Sequence, residues 1–311
     1  MALEPQTKAF LEKSLSQPKP VYKLTIEQAR ESIIQKFTFD EPPIPIGSTE
    51  DIQIPFAWGN LTAKVYTPSG TGPFPIVVYY HGGGWVYNNV FTHDSICRHM
   101  ARLSECIFIS IEYRLAPENK FPGPVEDTYG ALEWIYDNAK SLNGIPEKLA
   151  VAGDSSGGNL AAVSCLLARD RKGPDIKLQV LMFPVLDHYS TGTKSYSKVN
   201  IPGALNGEQM VWFWDLYLKE GEDVNNPYIC PLRAESLKNL PAAIITTVEN
   251  DPLCDEGEAY ASRLADAGVS VDFTRCEGVV HAYLLHWRFL DKAMDSIIEI
   301  SAKIKNHMYS L

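Results

Sequence analysis

The chain changes from a predicted strand to a predicted helix within one short stretch, Leu149-Ala150-Val151-Ala152-Gly153-Asp154-Ser155-Ser156-Gly157-Gly158-Asn159. The apolar residues at its start are typical of a strand buried in a parallel sheet, and a helix of small residues is predicted over residues 159–169. The pattern G-x-S-x-G places Ser155 between two glycines, where a sharp turn projects its hydroxyl from the carboxyl end of the strand. The helix that begins here also favours developing negative charge. We therefore predict Ser155 to be a nucleophile. Ser156 is the competing hydroxyl, and a Gly-Ser turn without chemistry is the alternative.

Strand and helix patterns alternate along most of the remaining chain. Further strands are predicted at residues 61–66, 76–80, 107–111, 178–183, 243–248 and 269–275. Helices are predicted at residues 95–103, 128–139 and 256–267. This alternation predicts an α/β fold with a mostly parallel central sheet that is covered by helices on both faces.

Two parts of the chain stand outside this alternation. The first forty residues contain two helical segments, and apolar side chains mark the first of them at Phe10, Leu11 and Leu15. The second segment opens with Thr25 and Gln28, which fit a capping box. The proline-rich residues 41–47 then end the helix and form a linker. Residues 187–222 are rich in loop-forming residues and are predicted to be an insertion.

The composition restricts the classes of partner. The chain has 311 residues, of which 45% are hydrophobic, enough to bury a sizeable core. Its 28 basic and 38 acidic residues give a net charge of -10. The opposite sign would be expected of a protein that neutralises nucleic-acid phosphates or an anionic membrane surface. No stretch approaches the roughly 18 apolar residues of a membrane-spanning helix. We expect no nucleic-acid partner and no membrane span.

The N-terminus and the cysteines bear on the compartment. The N-terminal residues lack a basic flank followed by an apolar stretch, so no signal peptide is predicted. The six cysteines are scattered, without a C-x-x-C pair or a close cluster with histidine. Neither a zinc site nor another metal site is therefore predicted. We expect a cytoplasmic protein with reduced thiols.

A cluster of three glycines follows the predicted strand at residues 76–80, in the sequence His81-Gly82-Gly83-Gly84-Trp85. Consecutive glycines allow backbone N–H groups to turn towards one point. At the carboxyl end of a strand they match the oxyanion-hole loop of lipases and esterases. In that role the N–H groups of Gly83, Gly84 and Ser156 would hold the oxyanion. A flexible glycine loop is the alternative interpretation.

Seven histidines are candidates for the base that a nucleophilic serine needs. His281 lies in a loop after a predicted strand, at the carboxyl end of the sheet, where a base must lie to reach Ser155. His286 is the second candidate and is expected within the helix that follows. The others are interpreted as structural or surface residues: His81, His93, His99, His188 and His307.

The carboxylate that orients the base is expected between the serine and the histidine in the chain. Asp251 follows the strand predicted at residues 243–248, about one β-α-β unit before His281. Asp255 is the main rival, although its place at the start of the next helix also fits a helix cap. Glu249 is a weaker rival. The predicted order is therefore serine, aspartate, histidine.

These motifs resemble those of the bacterial hormone-sensitive lipase family of carboxylesterases, which has the α/β-hydrolase fold. The resemblance covers about residues 60–290. It rests on His81-Gly82-Gly83-Gly84-Trp85, Tyr113-Arg114-Leu115-Ala116-Pro117-Glu118, Phe121-Pro122, Gly153-Asp154-Ser155-Ser156-Gly157-Gly158-Asn159-Leu160-Ala161-Ala162 and Asp251-Pro252-Leu253. Two places differ from the usual family pattern. Ser156 replaces an alanine, which leaves the backbone N–H unchanged, and Ala282 and Tyr283 replace glycine and phenylalanine after His281.

The resemblance implies an activity and a domain organisation. It implies hydrolysis of short- to medium-chain acyl esters without a metal or cofactor, so the expected partner is a small-molecule ester, and a homodimer is possible. It also implies a helical cap. The cap comprises residues 1–45 and 187–225, and the catalytic domain comprises residues 46–186 and 226–311. Ser155, Asp251 and His281 are then the catalytic residues.

Some assignments remain open. Trp85, next to the glycine loop, and Trp212, in an aromatic cluster of the insertion, are predicted to contact substrate, with packing of the cap as the alternative for each. The same triad is compatible with amides or thioesters. The plant gibberellin receptor resembles this family but lacks the catalytic histidine, so a receptor role is a minor alternative for a chain that contains His281.

Overall fold

A computed structural model describes residues 2–14, 20–37 and 42–311, so Leu15 and the linker residue Glu41 lie outside the described residues. Within these ranges eight strands form one sheet: β1 (Ser48–Phe56), β2 (Gly59–Thr67), β3 (Phe74–Tyr80), β4 (Ile107–Ile111), β5 (Gly144–Asp154), β6 (Ile176–Met182), β7 (Ala242–Asn250) and β8 (Val271–Val280). Across the sheet the order is β1-β2-β4-β3-β5-β6-β7-β8. The β1–β2 and β2–β4 pairs are antiparallel, and all other neighbours are parallel. The predicted α/β-hydrolase fold is confirmed.

Helices cover both faces of this sheet. The described α-helices are α1 (Pro5–Ser14), α2 (Ile26–Lys36), α3 (Asp94–Ser104), α4 (Gly123–Asn138), α5 (Ser156–Arg171), α6 (Lys194–Lys198), α7 (Gly207–Tyr217), α8 (Cys254–Asp266) and α9 (Asp291–Ser310). Alternate residues of a strand point to opposite faces. Ile76 and Val78 of β3 therefore pack into the core beneath α4, α5 and α8, and Val77 packs into the second core beneath α3 and α9.

The structure differs from the sequence predictions at β1 and near His286. β1 was not predicted. It is exposed over most of its length because it lies at the edge of the sheet, and only Ile52, Ile54 and Phe56 in its second half form an alternating apolar pattern. The helix predicted to include His286 begins later. Residues Tyr283–His286 form a 3-10 turn, a further turn follows in which the Phe289 N–H donates to the His286 carbonyl, and α9 starts only at Asp291.

The second N-terminal helix begins as predicted and is fastened to the sheet domain. Thr25 and Gln28 form the reciprocal capping box at the start of α2. Arg30 of this helix donates to both carboxylate oxygens of Glu118, at 2.8 and 2.7 Å. The same guanidinium donates to the backbone carbonyls of Val86 and Ala116, at 2.8 and 2.9 Å. The Arg30 side chain thus connects α2 to the residue that follows the glycine loop and to residues after β4.

The turn between β5 and α5 requires glycine because its backbone lies against β3. Ser155 has φ +55° and ψ −120°, a backbone conformation that residues other than glycine rarely adopt. A Cβ added at Gly157 would lie 1.9 Å from the Tyr80 carbonyl oxygen, and one at Gly153 would lie 2.3 Å from the Gly157 backbone. Glycines on both sides of Ser155 therefore allow the turn to approach the end of β3.

We expect Gly157→Ala to destabilise the fold by about 3 kcal/mol, because the added methyl group overlaps a backbone carbonyl and forces the chain to shift. Gly207→Ala is the matched control, since the nearest atoms to its added Cβ, in Tyr196, are 3.9 Å away. Urea unfolding of the two variants and the wild type measures the difference. Equal stability of Gly157→Ala and wild type would contradict the close approach.

Candidate active site

Three predicted side chains meet at the carboxyl edge of the sheet. Ser155 follows β5, Asp251 follows β7 and His281 follows β8. The Ser155 Oγ lies 2.9 Å from His281 Nε2, and His281 Nδ1 lies 2.6 Å from Asp251 Oδ2. Since the distances are those of hydrogen bonds, a continuous path connects the serine hydroxyl to the carboxylate. Ser155 is 7% exposed, which leaves access to its hydroxyl while most water is excluded.

Asp251, rather than either rival carboxylate, faces the histidine. Asp251 is completely buried, and its second oxygen accepts the Leu253 N–H at 2.9 Å, which fixes the carboxylate plane. The carboxylate of Asp255 accepts the Ser195 N–H at 2.8 Å. Glu249 accepts the Gly278 N–H at 3.0 Å. The rivals therefore hold neighbouring loops together.

His286, the second candidate base, lies in an aromatic environment. Its ring centroid is 4.3 Å from that of Phe10 in α1 and 6.1 Å from that of Phe37. Burial, together with the nearby Lys36, lowers the pKa of His286 to about 4. The ring therefore packs N-terminal residues onto the sheet domain, while His281 is the histidine that contacts Ser155.

Phe183 holds the His281 ring, a role that the sequence did not reveal. Its ring meets the imidazole edge to face, with centroids 5.0 Å apart. Phe183 follows β6 with φ +39°, and its N–H donates to the Thr246 carbonyl. The imidazole is thus oriented from one side by Asp251 and from another by an aromatic ring.

The glycine loop lies beside the serine. Gly83 and Gly84 have φ +122° and +60°, which favour glycine. Ser156 is the first residue of α5, so its N–H belongs to the first turn, where donors have no partner within the helix. The Trp85 N–H donates to the Ser156 hydroxyl at 3.2 Å. The loop and the helix start that carry the three predicted oxyanion donors are therefore in direct contact.

A buried carboxylate that sequence analysis did not single out holds the start of this loop. Asp154 is 2% exposed, and its Oδ1 accepts the Gly82 N–H at 3.0 Å and the Tyr79 hydroxyl at 2.7 Å. His93 Nε2 lies 3.2 Å from the same oxygen. Burial raises the pKa of Asp154, but His93 and these hydrogen bonds outweigh it, and the net pKa is lowered. The sequence feature that could have identified Asp154 is its position directly before the serine in the pattern G-x-S-x-G.

The aromatic residues near the loop occupy different surroundings. Trp85 is completely buried, and its ring stacks on Tyr217 with centroids 4.1 Å apart, so it exposes no surface to a substrate in this structure. Trp212 is half-buried against Phe213, at 5.2 Å. Phe213 covers the glycine loop, because a Cβ added at Gly84 would lie 2.1 Å from its ring. Phe213 therefore lies directly against Gly84, while Trp214 of the same cluster packs on Trp85 with ring centroids 4.8 Å apart.

The remaining chemistry of the described residues is limited. Cys254 is buried, and burial next to Glu258 raises the pKa of its thiol to about 12, which suppresses the reactive thiolate. Across residues 2–14, 20–37 and 42–311, no group of three or more His, Cys, Asp or Glu side chains is arranged to hold a metal ion. In the same ranges no helix combines the length and the apolar character needed to cross a bilayer.

Comparisons with known proteins agree with this geometry. A family model described as the alpha/beta hydrolase fold matches residues 77–285. An arylesterase of Saccharolobus solfataricus is 36% identical, over 91% of this chain and 93% of that protein. The carboxylic ester hydrolase LipN of Mycobacterium tuberculosis is 41% identical over 78% of this chain, and the match spans 66% of LipN. The solved structure of a hyperthermophilic esterase from the archaeon Pyrobaculum calidifontis has a TM-score of 0.92 at 39% identity, over 98% of this chain and 99% of that one.

A parallel sheet that carries a serine turn, an aspartate and a histidine at its carboxyl edge defines the class of α/β hydrolases. The chain belongs to the α/β-hydrolase family, within the hormone-sensitive lipase group of carboxylesterases that its motifs resemble.

The Asp154 carboxylate is expected to stabilise the fold in a pH-dependent way. Because its pKa is lowered in the folded state, the stability that its charge contributes is complete at neutral pH. It is lost as the pH falls below about 4 towards the folded-state pKa. We expect Asp154→Asn to be less stable than wild type by about 2 kcal/mol at pH 7, and the difference to narrow at pH 3.

Urea unfolding at the two pH values tests this expectation. Asp175→Asn is the control, because this exposed aspartate pairs with Lys177 at the surface, where such pairs contribute little. If the difference between Asp154→Asn and wild type widened at pH 3, the charged state assigned to Asp154 would be wrong.

Proposed function

We propose that Ser155, His281 and Asp251 are the catalytic triad of this carboxylesterase and that it hydrolyses short- to medium-chain acyl esters. The observation that carries the proposal is the hydrogen-bonded path from the Ser155 Oγ through His281 to Asp251, with distances of 2.9 and 2.6 Å. The path lies where a serine nucleophile needs it, at the carboxyl edge of a parallel sheet.

The proposed acylation step uses each triad member once. The Ser155 oxygen attacks the ester carbonyl carbon while His281 Nε2 accepts the hydroxyl proton. Asp251 accepts the Nδ1–H of His281 and stabilises the imidazolium that forms. The carbonyl π electrons move onto oxygen, and the N–H groups of Gly83, Gly84 and Ser156 hold this oxyanion, each contributing about 3 kcal/mol.

Collapse of the tetrahedral intermediate completes the cycle. The oxyanion re-forms the carbonyl, the bond to the alcohol oxygen breaks, and His281 protonates the departing alcohol. A water molecule then attacks the acyl group on Ser155 as His281 removes its proton, and the second intermediate releases the carboxylic acid and the free serine. Only neutral imidazole accepts a proton, so activity should fall on acidification.

The parts of the chain outside the sheet domain are proposed to form a cap over this site. Phe213 of α7 lies against Gly84, and Trp212 extends from the same helix. α2 is fastened near the glycine loop by Arg30. We propose that residues 1–45 and 187–225 limit the length of the bound acyl chain.

Esters are the favoured substrates over amides and thioesters. Two relatives are named as a carboxylic ester hydrolase and an arylesterase. A receptor would need a pocket but not a hydrogen-bonded serine, histidine and aspartate, so the geometry favours catalysis over ligand binding alone.

The substrate assignment is tested with p-nitrophenyl esters from acetate to palmitate. We expect turnover to peak among the short and medium chains and to fall about 10⁴-fold or more in Ser155→Ala, because no other hydroxyl replaces the nucleophile. Ser164→Ala, which removes another buried hydroxyl of α5, is the control and should retain full activity. A wild type inactive on every ester but active on p-nitroanilides or thioesters would contradict the ester assignment, and full activity of Ser155→Ala would contradict the nucleophile.

We also propose that two copies of the chain pair along β8. β8 is an edge strand of the described sheet, and edge strands offer backbone donors and acceptors for pairing. Phe273 of β8 is 41% exposed. Antiparallel pairing of two β8 strands about a twofold axis would extend the sheet across both copies.

Light scattering at micromolar concentration is expected to give twice the mass of one chain for the wild type and the mass of one chain for Phe273→Asp. Leu311→Asp changes an apolar residue of similar exposure at the C-terminus and should leave the mass unchanged. A monomeric wild type would refute the proposed pairing.

A further inference from the structure

The Ser156 hydroxyl contacts the glycine loop, although this side chain is not part of the triad. The Ser156 side chain is completely buried at the start of α5. Its Oγ accepts the N–H of Trp85, at the end of the loop, with a distance of 3.2 Å. Alanine is usual at this position in the family that the chain resembles. An alanine side chain could not accept this hydrogen bond, so the contact is a feature in which this chain differs from the usual family pattern.

A second hydroxyl, that of Tyr113, contacts the other end of the loop. Tyr113 donates to the backbone carbonyl of His81, at the start of the loop, with a distance of 2.7 Å. Tyr113 is 2% exposed, and its ring stacks on that of His81 with centroids 4.3 Å apart. Ser156 therefore contacts the end of residues 81–85, and Tyr113 contacts their start.

We propose that Ser156 is a positioning residue of the oxyanion hole, because its hydroxyl holds the end of residues 81–85 against the start of α5, while Tyr113 holds the start of the same loop. The inference rests on the proposed function, because it assigns a purpose to the loop only if the loop stabilises an oxyanion. It adds a side-chain role for Ser156 to the backbone role already assigned to its N–H.

The backbone conformation of the loop explains why these hydrogen bonds affect the position of the oxyanion donors. Gly83, Gly84 and Trp85 have φ +122°, +60° and +60°, and for Trp85 this conformation is strained. Such a conformation persists only where the surroundings hold it. Without the Ser156 hydroxyl the buried Trp85 N–H loses its acceptor, and the loop relaxes towards another. The donors of Gly83 and Gly84 would then shift relative to the Ser156 N–H.

This shift should affect the transition state more than the bound ester. Oxyanion donors act on charge that develops only during the reaction. A misplaced donor therefore lowers kcat and leaves KM nearly unchanged. A merely structural role of Ser156 would lower the fraction of folded protein without changing the rate per intact site.

The experiment compares Ser156→Ala, Tyr113→Phe and the double variant with wild type, using p-nitrophenyl butyrate and active-site titration with a p-nitrophenyl phosphonate. Per titrated site, we expect Ser156→Ala to lower kcat about tenfold and to change KM less than about twofold. Because the two hydroxyls hold opposite ends of one short loop, the loss of kcat in the double variant should be smaller than the product of the two single losses. Ser164→Ala, which removes a hydroxyl of the same helix that faces Tyr80 rather than the loop, should match wild type.

Inhibition by phenylboronic acid provides the second readout. Its tetrahedral adduct on Ser155 places an oxygen in the oxyanion hole, so its Ki should rise in Ser156→Ala by the factor by which kcat/KM falls. An active wild type with kcat and Ki unchanged in Ser156→Ala would overturn this inference and leave the proposed function intact. A wild type inactive on all esters would overturn the proposed function and the inference together.

Discussion

The close approach of Gly157 to the carbonyl oxygen of Tyr80 is the constraint on which the site depends. With 1.9 Å between that oxygen and the position of a Cβ, a glycine is required for the start of α5 to lie against the end of β3. This approach brings Ser155, at the turn, next to the loop that follows β3. The strand order brings Asp251 and His281 to the same edge as Ser155. β5, β6, β7 and β8 are successive parallel neighbours, so their carboxyl ends lie at one edge of the sheet.

Two buried carboxylates then serve different parts of the site. Asp251 is held by the Leu253 N–H and faces His281, where it orients the imidazole. Asp154 is compensated by Tyr79, His93 and the Gly82 N–H, and holds the start of the glycine loop. A buried charge is tolerated only when paired and hydrogen-bonded, and both carboxylates meet this condition. The proposed base and the proposed oxyanion loop are thus each positioned by a charge that substrate need not touch.

Much of the fold was predictable because buried parallel strands and glycine turns leave strong local patterns. The residue pattern was enough to expect Ser155, His281 and Asp251 at one edge, since strand ends fix their placement. The start of α4 was not predictable from the helical pattern alone. α4 begins at Gly123, five residues before the prediction at 128, with Pro124 within its first turn, where a missing N–H costs nothing. Contacts between distant segments, such as those of Arg30, Phe183 and Tyr113, have no local pattern because they depend on how the folded layers meet.

The proposed triad is tested most directly by locating the covalent adduct of the inhibitor diethyl p-nitrophenyl phosphate, using peptide fragmentation and mass spectrometry. The proposed triad predicts one diethylphosphoryl group per chain, on Ser155, and little labelling in His281→Ala, because the imidazole activates the hydroxyl. An adduct on Ser156, or labelling of Ser155 that is equally fast without His281, would contradict the proposed triad.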